Sequence, residues 1–228
     1  MIKAIIFDLD GTLCDTLDDI RTGVNAVLER LGYKTRTKDE IHKFINNGAR
    51  ELIRRSLPKD VQSVDFIVDS ALSDYDMEYA KCYCDTTHAF EGVDELLWEL
   101  KRLGYRLGVL SNKQDAFVKD IISRVFGDDL FTFVMGQAGF PPKPDPSSAQ
   151  YVAKALGAYP EQCLYIGDSD VDVETAYRAK MAFIGVKWGY RDEEVLRMAG
   201  ASTVAKDPFE LLQSIIELNA EIEESEEA

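Results

Sequence analysis

The feature that most restricts the fold of this chain is its opening apolar run, Ile2 to Phe7, which stops abruptly at Asp8-Leu9-Asp10-Gly11-Thr12. The run does not alternate between apolar and polar residues, so it predicts a strand covered on both faces, the position of a central strand in a parallel sheet. In such sheets the open crevice lies at the carboxyl ends of the strands, where Asp8 and Asp10 fall. Two carboxylates a few ångströms apart repel by about 4 kcal/mol at an effective dielectric near 20, so the pair needs a proton or a cation. The run therefore predicts a metal site, a catalytic dyad, or both.

The next stretch, residues 15–86, carries only helical periodicity. Leu17, Ile20, Val24, Val27 or Leu28, and Leu31 recur at helical spacing before Gly32; shorter runs cover Thr37 to Ile45 and Ala49 to Leu57. A longer run from Asp60 to about Cys82 places Val64, Ile67, Ala71 and Tyr75 on one face. Four helices with facing apolar stripes can pack as one inserted all-α unit.

From residue 87 the pattern alternates between helix and strand. Strands are predicted at Arg106 to Leu110, Phe131 to Met135, Cys163 to Ile166 and Ala182 to Val186, with helices over Leu96 to Leu103 and near 115–125, 146–156 and 171–180. The expected architecture is a doubly wound, Rossmann-like α/β core formed by 1–14 and 87–228, with the four-helix unit of 15–86 inserted after the first strand.

Charge narrows the class of partner. A net charge of −15 disfavours nucleic acid and anionic membrane surfaces, both bound chiefly through clustered Lys and Arg. The acidic run Glu221 to Glu227 reads as a solvated helix end. No apolar stretch approaches the roughly 20 residues of a membrane helix, and Met1-Ile2-Lys3 enters a strand without the regions of a secretory signal, so a cytoplasmic location is expected. The four cysteines include no C-x-x-C pair.

Each predicted strand end carries polar residues. The second ends in Ser111-Asn112, a later connection holds Lys143-Pro144-Asp145-Pro146, and the fourth strand runs into Gly167-Asp168-Ser169-Asp170-Val171-Asp172. One sheet edge would gather all of them. Local readings compete at some positions: Ser169-x-x-Asp172 fits a capping box, Asp145 before Pro146 an N-cap, and Asn112 an N-cap. No C-x5-R loop, G-x-S-x-G elbow or P-loop is present, and Asp168-x-Asp170-x-Asp172 lacks the glycine and glutamate of an EF-hand loop.

In this order D-x-D-G-T, a strand-terminal Ser, a Lys and a final G-D-x-x-x-D resemble the haloacid dehalogenase-like superfamily over nearly the whole chain. Within it, the helical insert and the Ser-Asn and Lys-Pro-x-Pro pairings look most like the phosphoglycolate phosphatase group. The resemblance implies a phosphatase acting on a small phosphorylated metabolite, as monomer or homodimer. Asp8 would be the nucleophile, forming an aspartyl phosphate, and Asp10 the general acid and base. Mg²⁺ would be held by the Asp8 and Asp168 carboxylates and the Asp10 backbone carbonyl. Ser111, Asn112 and Lys143 would bind the phosphoryl oxygens, with Asp172 behind them holding Lys143 or a metal-bound water.

The resemblance also makes the insert a cap that reads the leaving group, and points to Asn47, Gly48 and Arg50 of Asn46-Asn47-Gly48-Ala49-Arg50. Arg50 could fork onto a substrate carboxylate or simply be an exposed helix residue. Asp10 argues against dehalogenase and phosphonatase chemistry. A β-phosphoglucomutase-like phosphotransferase would carry a histidine at the place of Ile20. A non-catalytic phosphate-binding protein would usually have lost the nucleophile. One departure is Lys180, where many relatives have glycine.

Overall fold

A computed structural model of the chain describes residues 1–227. In chain order the elements are β1 (Ala4–Phe7), β2 (Cys14–Asp15), α1 (Leu17–Arg30), α2 (Lys38–Phe44), α3 (Ala49–Ser56), α4 (Asp65–Tyr79), β3 (His88–Ala89) and α5 (Val93–Arg102). They continue with β4 (Arg106–Gln114), α6 (Asp115–Phe126), β5 (Phe133–Gln137), α7 (Ser147–Ala155), a 3₁₀ turn at Pro160–Gln162, β6 (Cys163–Gly167) and α8 (Asp170–Ala179). The last are β7 (Ala182–Val186), α9 (Glu193–Ala199), β8 (Val204–Ala205) and α10 (Pro208–Glu227). Among the described residues no helix is long and apolar enough to cross a membrane.

The chain divides into two compact units: Met1–Cys14 with the chain from Ala89 onward, and Asp15–His88. The first unit holds a six-stranded sheet in the order β5-β4-β1-β6-β7-β8, parallel throughout. β1 lies between β4 and β6, pairing Phe7 with Val109 on one side and Ile166 on the other. Ala4, Ile5 and Ile6 are fully buried, as a strand covered on both faces requires. Ala4 and Ile6 join the core under α7 and α8 with Val152, Leu156, Tyr165 and Ala176; by alternation Ile5 and Phe7 face the opposite side.

Three elements depart from the sequence reading. β5 starts at Phe133, two residues late, because Phe131 packs edge-on against Phe126 of α6 and the chain joins the sheet only afterwards. β4 runs on to Gln114, with a register shift between Leu110 and Gln114, so Ser111 and Asn112 lie inside its irregular extension instead of at its end. Between Asp60 and Asp65 the chain makes turns, Val61 N–H bonding to Pro58 and Val64 N–H to Val61, and α4 begins only at Asp65. The short elements β2, β3, α9 and β8 are additional to the expected ones, and α10, with Leu211 and Ile215 buried, extends the helix end expected at 221–227 back to Pro208. The acidic run Glu221–Glu227 forms the end of α10.

The second unit is built from α1 to α4. α1 and α4 approach closely: a Cβ on Gly23 would stand 3.1 Å from the Tyr75 ring and 3.2 Å from Tyr79. Arg36 binds the C-terminal carbonyls of α3, donating to Ser56 O at 2.8 Å and Leu57 O at 3.4 Å. Asp19, buried in the first turn of α1, accepts from both the N–H and the hydroxyl of Thr86 and of Thr87. These bonds tie the end of the insert to its beginning.

Candidate active site

Asp8 follows the last residue of β1, and its N–H continues the sheet ladder to Ile166 O at 2.9 Å. The chain then turns at once: the N–H groups of Thr12, Leu13 and Cys14 all bond Leu9 O. Gly11 makes that turn with φ of +87°, and a Cβ there would meet Asp168 Oδ2 at 2.4 Å. No side chain fits this place without displacing the carboxylate.

Asp168 follows β6. Its Oδ2 accepts from Tyr190 N–H at 2.7 Å and its Oδ1 from the Thr12 hydroxyl at 3.3 Å. Ser169 then caps α8 in a reciprocal box with Asp172, whose Oδ2 accepts from the Ser169 hydroxyl at 2.5 Å. Asp172 Oδ1 accepts from Lys143 Nζ at 2.7 Å, so one carboxylate both caps the helix and holds the lysine. The two roles weighed for Asp172 are compatible because each uses a different oxygen.

Lys143 is buried at the centre. Its ammonium donates to Asp8 Oδ1 at 2.8 Å, Asp172 Oδ1 at 2.7 Å, the Tyr165 hydroxyl at 3.0 Å and Leu110 O at 3.3 Å. Burial alone would lower its pKa, but the Asp172 and Asp8 carboxylates overrule it and hold the group charged. Asp8 is pushed well above the ordinary carboxylate range by burial, against the pull of Lys143 and with Asp172, Asp168 and Asp10 adding to the rise. Asp168 is raised to about 7, first by burial and then by Asp172. Four carboxylates, Asp8, Asp10, Asp168 and Asp172, against two lysine ammonium groups, Lys143 and Lys113, leave the site short of positive charge.

That shortage fits a hard divalent cation. Asp8, Asp168 and Asp172 each offer an oxygen, all within 4.8 Å of one another, and such ions are bound by carboxylate and carbonyl oxygens. Asp172 is already engaged at both oxygens by Lys143 and Ser169. Asp168 is likewise engaged at both, by Tyr190 N–H and the Thr12 hydroxyl, so all three carboxylates remain candidate ligands.

The remaining predicted residues separate into groups. Ser111 is buried, and its hydroxyl accepts from Lys113 N–H at 3.2 Å. Asn112 does not cap α6, which starts beyond Gln114. Its side chain binds the backbone of Lys143 instead, accepting from the N–H at 2.8 Å and donating to the carbonyl at 3.1 Å. That commits the oxygen and one N–H of its amide to positioning the lysine. Asp145 accepts from Ser147 N–H at 3.0 Å, a local turn bond at the start of α7.

In the second unit, Asn47 and Gly48 lead into α3, and Arg50 donates to Asp69 Oδ1 and Asp65 Oδ1, both at 2.8 Å. Sequence reasoning missed Lys113, which pairs with Asp10, and the backbone N–H of Tyr190. It also missed Tyr165, a phenol in an otherwise apolar strand and hence a group in need of a polar partner.

The adjacent central strands β1 and β6 carry Asp8 and Asp168 at their carboxyl ends, and the connection after β5 brings the buried Lys143 to Asp8, a carboxylate–lysine site at the edge of a parallel sheet. Residues 5–186 match the haloacid dehalogenase-like hydrolase family, and the chain belongs to it. The phosphoglycolate phosphatase of Colwellia psychrerythraea is 33% identical over 218 residues, covering 93% of this chain and 96% of that protein. That of Psychrobacter arcticus is 33% identical over 216 residues, covering 92% and 94%. A crystal structure from Lactobacillus delbrueckii subsp. bulgaricus superposes with a TM-score of 0.87 at 28% identity, covering 93% of this chain and 98% of that one.

Proposed function

We propose that this phosphoric monoester hydrolase is a Mg²⁺-dependent phosphatase that cleaves a small phosphorylated acid of the 2-phosphoglycolate type through a phosphorylated Asp8. The observation that carries the reading is the charge balance at Asp8: a carboxylate whose pKa is raised first by burial and then by the neighbouring carboxylates, hydrogen-bonded to one lysine that opposes the rise. A phosphate dianion approaches such a group only if more positive charge is supplied. Mg²⁺ on Asp8, Asp168 and the Asp10 carbonyl would neutralise the repulsion between nucleophile and phosphate.

The chain's own residues divide the remaining tasks. Asp8 attacks phosphorus in line, and the ester oxygen leaves with a proton from Asp10. Water then attacks the phosphoaspartate, giving its proton to Asp10, and the Asp8 carboxylate is regenerated. Lys143, held by Asp172, Tyr165 and the Asn112-bound loop, offers fixed positive charge to the phosphoryl oxygens together with the Ser111 hydroxyl. The acid-type substrate is favoured by the relatives named phosphoglycolate phosphatase, with Asn47, Gly48 and Arg50 as the residues that would read the carboxylate.

The testing experiment is phosphate release from 2-phosphoglycolate, sugar phosphates and p-nitrophenyl phosphate, with Mg²⁺ and with EDTA. Turnover in Mg²⁺ alone, fastest on 2-phosphoglycolate, is expected. Turnover in EDTA would overturn the metal role, a sugar phosphate preference would overturn the substrate, and transfer to a second sugar in place of water would mark a phosphotransferase.

A further inference from the structure

Lys113 is a lysine that the scheme above does not use. It lies two residues beyond Ser111 in the irregular extension of β4, and its side chain is 8% exposed. A lysine so buried requires a partner. Its ammonium is paired with Asp10 Oδ1, and the Asp10 side chain is 17% exposed. The two site lysines thus divide the carboxylates: Lys143 takes Asp8 and Asp172, and Lys113 takes Asp10.

The backbone that presents Lys113 is itself anchored. Its N–H donates to the Ser111 hydroxyl. On the β5 side, a Cβ on Gly136 would stand 2.5 Å from Lys113 O, and Gly136 N–H donates to Asp115 Oδ1 at 2.9 Å. Only a residue without a side chain lets β5 come this close, so the strand extension is held against β5 where the lysine departs.

We propose that Lys113 is the positioning residue for Asp10: it fixes the orientation of the carboxyl group for both proton transfers, without itself giving up a proton. The proposal rests on the phosphatase reading. In the first transfer the O–P bond of the ester breaks, its electron pair goes to the ester oxygen, and a proton moves there from Asp10. In the second, water adds to phosphorus as the P–O bond to Asp8 breaks, and a proton moves from water to Asp10. The first step needs Asp10 protonated and the second needs it ionised, and Lys113, held at Oδ1, aims the same carboxyl group at the reacting oxygen in both.

The leaving group separates this role from phosphate binding or general stability. p-Nitrophenolate departs without a proton, whereas an alkoxide does not. Rapid-quench first-turnover rates in saturating Mg²⁺ should be measured for wild type, Lys113→Met and Lys113→Arg on p-nitrophenyl phosphate and on 2-phosphoglycolate. Lys113→Met should lose about 10-fold or more on the alkyl ester beyond its loss on the nitrophenyl ester. Nitrophenol should appear as a stoichiometric burst followed by slow turnover, because the water step still needs Asp10. Lys113→Arg, which keeps a charged donor, should recover part of the difference and shows the same ordering if the methionine variant does not fold.

Equal losses on the two esters, accompanied by weaker inhibition by inorganic phosphate, would make Lys113 a phosphate ligand and overturn the proposal. Wild-type rates in Lys113→Met would overturn it too. An inert wild-type enzyme would instead overturn the phosphatase reading, and the Lys113 role with it.

Discussion

The side-chain amide of Asn112 closes a two-way bond with the backbone of Lys143, accepting from its N–H at 2.8 Å and donating to its carbonyl at 3.1 Å. The lysine therefore enters the site on a loop clamped to β4, while its ammonium is oriented by Asp8, Asp172 and Tyr165. Position and orientation are set by different residues.

Asn112→Ala removes both bonds of the clamp. Net losses near 1 kcal/mol per hydrogen bond, with a part-buried N–H and carbonyl left unpaired, predict destabilisation of about 1 to 3 kcal/mol in urea unfolding. Because Lys143 moves with the loop, kcat/KM on any phosphomonoester should also fall, by about 10-fold or more. Asn112→Asp keeps the acceptor and loses the donor, and should lie between the two. Loss of stability with full activity would show that Lys143 does not depend on the clamp.

The two aspartates of β1 should fail in different ways. Asp8→Asn removes the atom that bonds phosphorus, so no acid-stable phosphoenzyme should be trapped from labelled substrate. Asp10→Asn keeps the nucleophile but loses the proton donor, and turnover should fall about 10²-fold or more with substrate binding largely kept. Phosphoenzyme in Asp8→Asn, or near wild-type turnover in either variant, would contradict these roles.

Much of this site was legible because the residues that build it stand at predicted strand ends. β1 and β6 are fully buried strands whose apolar runs announce them, and Asp8 and Asp168 follow directly from where those runs stop. The role of Asn112 was not legible, since its partner is a backbone 31 residues away. Lys113 was hidden for a related reason: the register shift in β4 decides which way its side chain goes, and no local pattern encodes that shift. Lys180 shows the reverse case. It ends α8 in the left-handed region at φ of +61°, which explains why glycine suits that position and why the lysine needs no functional account.

The raised carboxylates predict an inverted pH dependence for the metal-free protein. Burial, with Asp172 beside it, lifts Asp168 from 3.8 to about 7, and Asp8 is shifted in the same direction. Between about pH 4 and pH 7 the folded protein then holds protons that the unfolded chain has released. The stability from these groups is full below about pH 4 and is lost as pH rises through about 7. In EDTA, Tm should therefore be lower at about pH 8 than at about pH 5.5. Mg²⁺ needs the carboxylates ionised, so the Tm increment it gives should grow over the same range. A Tm in EDTA that rises from pH 5.5 to 8, or a Mg²⁺ increment that shrinks, would contradict the assignment of these aspartates.

Arg50 stands in the first turn of α3. Its guanidinium donates to Asp65 and Asp69 of α4, and all three side chains are well exposed, at 44%, 73% and 58%. The two carboxylates raise its pKa further, so the group is a permanent cation. Exposed ion pairs of this kind contribute little to stability, because water solvates both partners and holding long side chains in one geometry costs entropy. Arg50 can therefore leave Asp65 and Asp69 for a substrate carboxylate at small cost, and a bidentate fork would reward it. If it does so, Arg50→Ala should lower kcat/KM on 2-phosphoglycolate by about 10- to 100-fold and hardly change that on p-nitrophenyl phosphate, which has no carboxylate to lose. Arg50→Lys keeps the charge without the fork and should recover only part of the loss. Asp65→Asn with Asp69→Asn supplies the control: freeing Arg50 from its resting partners should leave the preference for the acid intact or sharpen it. Equal losses on both esters in Arg50→Ala, together with a preference that collapses in the aspartate double variant, would make Arg50 a brace between α3 and α4 and nothing more.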